Sequence, residues 1–189
     1  LYCGEWIESH VLHVFLLHLP DFLGYESAIS MAADHGPAVK RALRAKKLGN
    51  DIVCAVAGRE VHPINVCVGG FYSLPDPRRL AALVPEIEQS LDEMCELTLF
   101  LAEKLTYPDF QQDYEFVALR PGDEYPMNLG PIVSSKGLRI EQQEYLNAIE
   151  EQHVAHSNAL HAIMKGRGSY QVGPLARLNL NADRLHPRA

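Results

Sequence analysis

Gly58-Arg59-Glu60-Val61-His62-Pro63-Ile64-Asn65-Val66-Cys67-Val68-Gly69-Gly70-Phe71 interrupts a chain whose pattern is otherwise helical. Arg59 and His62 flank a turn just before Pro63, and Gly69-Gly70 carries no Cβ, so another backbone or a cofactor can approach closely. Upstream, Ile52, Val53, Val56 and Ala57 recur at helical spacing behind Asn50 as N-cap, so the irregular stretch starts where a helix ends. A capped surface turn explains the same residues without any functional role.

Reading outward toward the start, Trp6, Ile7, Val11, Leu12, Val14, Phe15, Leu16 and Leu17 cover most of a helix circumference from Glu5 to Leu19. This predicts a central helix buried on nearly all sides and stopped by Pro20. A second helix is expected over Glu26 to Leu48, broken before Pro37. Downstream, Asp76-Pro77 forms an N-cap and first-turn pair. A helical stripe of Leu80, Leu83, Val84, Ile87, Leu91, Met94, Leu97 and Leu101 then continues to about Leu105, split or kinked at Pro85.

Tyr114 to Leu119, Pro131 to Ser135 and Leu138 to Ile140 have strand composition, separated by the turn signals Pro121-Gly122 and Lys136-Gly137. They predict a small antiparallel sheet. Glu141 to Lys165 is rich in helix formers and is expected to be an amphipathic helix closed by Gly166-x-Gly168, followed by an extended run from Tyr170 to Leu180. The class is therefore α+β, predominantly helical. The expected organisation is a single truncated domain over 1–189, with a helical core at 1–110 and 141–166, a β insertion at about 113–140 and an extended segment at 169–181.

A net charge of -7 and a pI near 5.7 argue against general affinity for nucleic acid. One basic run, Lys40, Arg41, Arg44, Lys46 and Lys47, reads as a solvated helix end before Gly49 or as a docking patch for an acidic partner. Cys3, Cys54, Cys67 and Cys95 are widely spaced without a Cys-x-x-Cys pair, as expected of buried thiols in a reducing compartment rather than a zinc or local iron-sulfur site. No stretch approaches the roughly 20 apolar residues of a membrane span. The chain starts at Leu1 without an initiator Met, which reads as an excised segment.

His10 and His13 fall three apart on the first helix, close enough to share a metal or a hydrogen-bond network. In apolar surroundings the plainer reading is a core histidine bonded to a carbonyl or a neighbouring side chain. His153, His156 and His161 lie on one side of the expected last helix, with Glu150 at Glu-x-x-His spacing to His153. Di-iron bundles need a second such motif and further glutamates; no second motif occurs, and no metal ligand is assigned in this segment. Later, Val172-Gly173-Pro174-Leu175-Ala176-Arg177 fixes a backbone bend, and Arg177 has the donors to bind several carbonyls or a carboxylate at once.

Three segments together resemble the large (alpha) subunit of nickel-iron hydrogenases: Ser9-His10-x-x-His13 followed by Pro20-Asp21, the Gly58 to Phe71 stretch, and Val172 to Arg177 with Leu178-Asn179-Leu180-Asn181. The likeness spans nearly the whole chain and is looser between about Asp76 and Arg167. The first and last segments look most like the cytoplasmic, multi-subunit, cofactor-coupled branch. Cys3-Gly4-Glu5-Trp6 imitates the family's N-terminal metal motif, but Trp6 stands where its second cysteine belongs, so the matching cysteines are expected upstream.

The resemblance implies reversible oxidation of dihydrogen to protons and electrons in the intact enzyme. Four cysteines outside this segment would hold a nickel and an iron bearing cyanide and carbonyl ligands. Electrons would leave through iron-sulfur clusters in a small subunit, with diaphorase-type subunits as further partners. The segment itself carries no catalytic residue and is expected to be inactive. Its implied site is His62, with Arg59, at the contact with the small subunit's nearest cluster; His10, His13, Gly69, Gly70, Gly173, Pro174 and Arg177 are structural signature positions. The alternative is a non-catalytic relative resembling the quinone-site subunit of respiratory complex I, which docks a cluster and passes electrons. A helical interaction module that resembles the family by chance is the third reading.

Overall fold

The computed structural model describes residues 1–187, and the final Arg188 and Ala189 of the expected domain lie outside the described residues. The chain divides into two compact units, Leu1–Tyr107 and Pro108 onward. The first is helical, the second is built on short antiparallel strands, and together they bear out the α+β class.

In the first unit, α1 (Tyr2–Val11) runs into a π-helical segment, Leu12–His18, and then α2 (Leu19–Leu23), which begins with Pro20 in its first turn. Val11, Phe15 and Leu19 are buried, whereas Val14 and Leu17 are exposed. The helix thus buries one stripe rather than its whole circumference.

α3 (Ala28–Ala57) opens with a capping box in which Ser27 and Ser30 each accept from the other's backbone N–H. The expected break before Pro37 is a kink instead, with His35 at φ -119 and ψ 34. Pro37 lacks a donor and crowds the preceding turn, and the His35 ring sits edge-on to Tyr25 and Phe100, each at 5.7 Å.

Asn50 does not begin a new helix, because α3 continues through Gly49 to Ala57. Gly49 marks a close crossing rather than an end: a Cβ there would lie 2.6 Å from the Glu8 nitrogen and 2.7 Å from the Gly4 carbonyl oxygen of α1. The basic run consequently falls inside the helix, where Arg41 pairs with Glu96 at 2.8 Å, Arg44 with Glu93 at 3.0 Å, Lys46 with Glu8 at 2.7 Å, and Lys47 with Asp51. Such pairing along a helix flank is neither a solvated end nor an open patch.

After a hairpin of β1 (Val66–Cys67) and β2 (Gly70–Phe71), α4 (Pro77–Lys104) is capped by the Asp76 carboxylate, which accepts from Arg78 N at 2.9 Å. It runs unbroken past Pro85, an exposed position where the missing donor leaves a carbonyl open to water. Leu97 closes the core made by Val11, Phe15, Met31, Ala42 and Ala45.

In the second unit the expected sheet forms as β3 (Val117–Leu119), β4 (Ile132–Ser134) and β5 (Arg139–Ile140), antiparallel, with Val117 opposite Ser134. The helix expected over Glu141 to Lys165 does not form. A 3-10 turn (Gln142–Glu144) and the single turn α5 (Tyr145–Ala148) lead into β6 (Ile149–Gln152), which pairs with β7 (His161–Met164). Ile149 and Met164 face each other in that ladder and join Val117 and Ile132 in one core, so packing outweighs helix propensity. The expected extended tail is extended only to Val172; Pro174–Asn181 is α6, with Pro174 in its first turn.

Candidate functional site

The α3 helix ends on Gly58, whose φ of 82 lets its N–H reach Cys54 O at 3.0 Å. The chain then doubles back, and both Ile64 N and Asn65 N donate to Ala57 O at 3.1 Å. Between them Arg59 Nε donates to Val61 O at 2.5 Å, and His62 takes φ 53, the one non-glycine residue with positive φ among the described residues. A side chain in that region costs on the order of 1–2 kcal/mol. His62 is exposed and helps line a cleft of about 330 Å³ with Glu5, Glu8, Val53, Glu60 and Pro63.

The hairpin that follows pairs Val66 with Phe71 and Cys67 with Gly70. Gly69 supplies the left-handed residue of its tight turn, at φ 88. A Cβ on Gly69 or Gly70 would meet nothing within 4 Å, so within the described chain these glycines serve the turn and not a close approach. Val61, Ile64, Val66, Val68, Phe71 and Tyr72 are all exposed on this loop. Arg59 and His62 therefore share one strained turn that leads into an apolar hairpin.

The other sequence-predicted positions lie elsewhere. His10 is exposed and lies against Trp6, with ring centroids 5.9 Å apart, and His13 is exposed as well, so neither is a core histidine. His13 pairs with His18, not His10, at 2.7 Å between Nε2 atoms. The π-helical register explains this, because it brings residues five apart onto one line. Glu150 lies on β6 and His161 on β7, which dissolves the helical Glu-x-x-His reading; His156 and His161 retain a ring contact at 5.5 Å. Cys3 is exposed, against the expectation of four buried thiols, while Cys54, Cys67 and Cys95 are half-buried.

In the second unit, Gly173 caps α6 with φ 92 and Pro174 begins it. Among its contacts, Arg177 Nε donates to the Tyr125 hydroxyl at 3.4 Å, with its guanidinium 5.9 Å from that ring's centre. Carbonyls here are also latched by Asn181 and by two arginines that the sequence does not single out. Arg120 donates to Leu180 O and pairs with Asp183 at 2.6 Å, Arg184 donates to Pro121 O, and Asn181 Nδ2 donates to Leu119 O at 3.2 Å.

A buried carboxylate is likewise hidden from sequence reasoning. Glu115 is 7% exposed, accepts from Ser134 Oγ at 2.6 Å and pairs with Arg167 at 2.7 Å. Its only sequence signal is a lone acid at the head of an apolar strand.

Among the described residues, no three His, Cys, Asp or Glu side chains converge on a point where a metal would bind. The four cysteines lie apart, on or beside α1, α3, β1 and α4, and this donor set does not fit a nickel-iron centre.

No family model matches the chain. Across its whole length it is 35% identical to the alpha subunit of sulfhydrogenase 1 of Pyrococcus furiosus, covering 44% of that protein, and over 98% of its length it is 34% identical to the alpha subunit of sulfhydrogenase 2 of the same organism, covering 42%. It is also 28% identical to a subunit of the F420-non-reducing hydrogenase vhu of Methanocaldococcus jannaschii, covering 50%. The chain thus spans about half the length or less of these curated relatives.

In fold, 93% of the chain superposes on 44% of a chain from an NAD+-reducing [NiFe]-hydrogenase, with a TM-score of 0.78 at 22% identity. Sequence likeness over the full chain and a shared fold converge: the chain is similar to one stretch of hydrogenase alpha subunits and shares its fold with part of a [NiFe]-hydrogenase chain.

Proposed function

We propose that the protein to which this segment belongs catalyses the reversible oxidation of dihydrogen to protons and electrons. In this reading the segment supplies scaffold and an electron-exit contact, not the reacting atoms. The observation that carries it is 35% identity over the entire chain to a hydrogenase alpha subunit. The nickel-iron centre, with the cyanide and carbonyl ligands the resemblance implies, would be held by cysteines outside these residues.

The contact is assigned to His62 and Arg59. Support comes from three features: His62 is exposed on a strained turn, Arg59 on the same turn folds back onto Val61 O, and exposed apolar residues flank it, as expected of a surface that docks onto a partner protein. An imidazole N–H donated to a cluster sulfur stabilises negative charge there and raises the cluster's potential. The partner would be the hydrogenase small subunit. Diaphorase-type subunits and a cytoplasmic setting are part of this reading because Glu5 to Gly24 and Val172 to Asn181 resemble the cofactor-coupled branch of the family. No observation favours the quinone-site alternative.

The test is elemental analysis and hydrogen-dependent dye reduction by the matured parent protein. About one nickel per chain with activity supports the reading, and matured protein without nickel refutes it. In that enzyme, replacing His62 by Ala should leave nickel content unchanged while shifting the nearest cluster's potential or slowing electron transfer. Unaltered potential and turnover would leave His62 a structural turn residue.

A further inference from the structure

We infer that Asn65 is the positioning residue for this contact. It staples the loop from Gly58 to Ser73 into one conformation, so that His62 and the apolar hairpin meet a partner as a pre-formed face. The inference rests on the proposed role of His62 and adds a residue which that role does not name.

The side-chain amide of Asn65 has two N–H donors and a carbonyl oxygen with two lone pairs. All four are used. Nδ2 donates to Val56 O at 3.0 Å, in the last turn of α3, and to Ser73 O at 2.8 Å, beyond the hairpin. Oδ1 accepts from Ser73 N and from Ser73 Oγ, both at 2.9 Å. The backbone of the same residue adds two more bonds: Asn65 N donates to Ala57 O at 3.1 Å, and Tyr72 N donates to Asn65 O at 3.0 Å. One residue therefore ties the helix end, the entry to β1 and the exit from β2 to each other.

This matters because the loop has little else to hold it. Much of its apolar surface is open, with Val68 fully exposed and Leu74 at 92%, so burial anchors it only in part, at Val66, Cys67 and Phe71. It nonetheless keeps His62 at a φ that relaxes readily wherever the backbone is free to move. A saturated amide fits this task better than a larger apolar residue would, since its bonds fix both direction and register. No other side chain satisfies the four bonds: aspartate presents acceptors to the carbonyls of Val56 and Ser73, and leucine leaves Ser73 N without its partner.

The experiment compares His62→Ala, Asn65→Asp and Ser73→Ala in the intact complex with its partner subunit, reading the nearest cluster's potential by redox titration and loop opening by amide hydrogen exchange. Ser73→Ala removes a single hydroxyl bond and serves if Asn65→Asp does not assemble. Asn65→Asp should shift the potential in the same direction as His62→Ala and speed exchange of the Tyr72 and Ser73 amides by about ten-fold or more, with a smaller change for Ser73→Ala.

A potential unchanged in Asn65→Asp but shifted in His62→Ala overturns the staple and leaves the His62 reading intact. A potential unmoved by His62→Ala refutes the His62 reading instead. Exchange then decides the staple alone, with unaltered protection of Tyr72 and Ser73 in both remaining variants overturning it and loss of protection upholding it.

Discussion

Replacing Gly49 by alanine sets two effects of opposite sign against each other. Alanine is the better helix former, and in an open helix interior the exchange stabilises by about 1 kcal/mol. At the crossing of α1 and α3, however, the new Cβ would stand 2.6 Å from Glu8 N, 2.7 Å from Gly4 O and 3.0 Å from Glu8 Cα. All three are backbone atoms, so no side chain can rotate away. Restoring ordinary contact parts the helices by about 0.8 Å, enough to forfeit roughly a quarter to a half of the dispersion energy across the seam.

Overpacking of this kind costs about 1–3 kcal/mol, and backbone opponents place it at the upper end. The expected net result is a loss of about 2 kcal/mol. Trp6 is the chain's single tryptophan and sits on α1, so its fluorescence during denaturation reports this unit specifically. If Gly49→Ala matches or exceeds the parent in stability, the close crossing is not what selects glycine there.

Removing Arg167 by substitution to Met leaves the buried Glu115 carboxylate with Ser134 as its remaining side-chain donor among the bonds described. The Arg167 side chain is 40% exposed, so the loss should be about 2–3 kcal/mol, below the range for a fully buried pair, and Arg167→Met with Glu115→Gln should be milder than Arg167→Met alone in urea denaturation. His62→Gly relieves a strain of about 1–2 kcal/mol but adds about 0.5–1 kcal/mol of unfolded-state entropy, so stability should hold or rise slightly by thermal melting even as the proposed contact is lost. Burial pushes the Tyr170 phenol above the ordinary tyrosine value of 10.0, with Tyr145 adding to the rise. The folded state therefore holds that proton more tightly than the unfolded chain, so this contribution is intact below pH 10 and lost as pH climbs through the raised value; an ultraviolet titration in which Tyr170 ionises with the exposed tyrosines would contradict it.

Short-range chemistry sets the parts of the fold that are legible in the sequence. Turn signals at Pro121-Gly122 and Lys136-Gly137 bound β3, β4 and β5 correctly, and Asp76-Pro77 marks the start of α4. Gly58 reads as a helix end and is one. Gly49-Asn50 reads the same way and is not, because a glycine chosen for close approach looks in sequence like one chosen for capping. Glu141 to Lys165 misleads for a related reason: its helix formers give the local preference, but Ile149 and Met164 are buried only when β6 pairs with β7.

The His13 and His18 pair is hidden because a five-residue spacing has no meaning until a π-helical turn is known. At the candidate site, His62 and Arg59 stand out by residue type beside Pro63. Asn65 does not, since four saturated bonds reaching from Val56 to Ser73 leave no trace in spacing.

Strain and staple at this loop are two halves of one energetic statement. Holding His62 at φ 53 costs on the order of 1–2 kcal/mol, and a loop with Val61, Ile64, Val68 and Tyr72 largely exposed offsets little of it through burial. Four side-chain bonds at Asn65, each worth about 0.5–1.5 kcal/mol net, exceed that cost even at the low end once the three backbone bonds from Ile64, Asn65 and Tyr72 are counted. The bonds thus offset the local strain at His62, and in the proposed contact a loop held this way would leave less ordering for docking to supply. Strain alone would fit a loop that binding must rearrange; strain over-determined by a saturated amide fits one that the proposed contact would use as it stands.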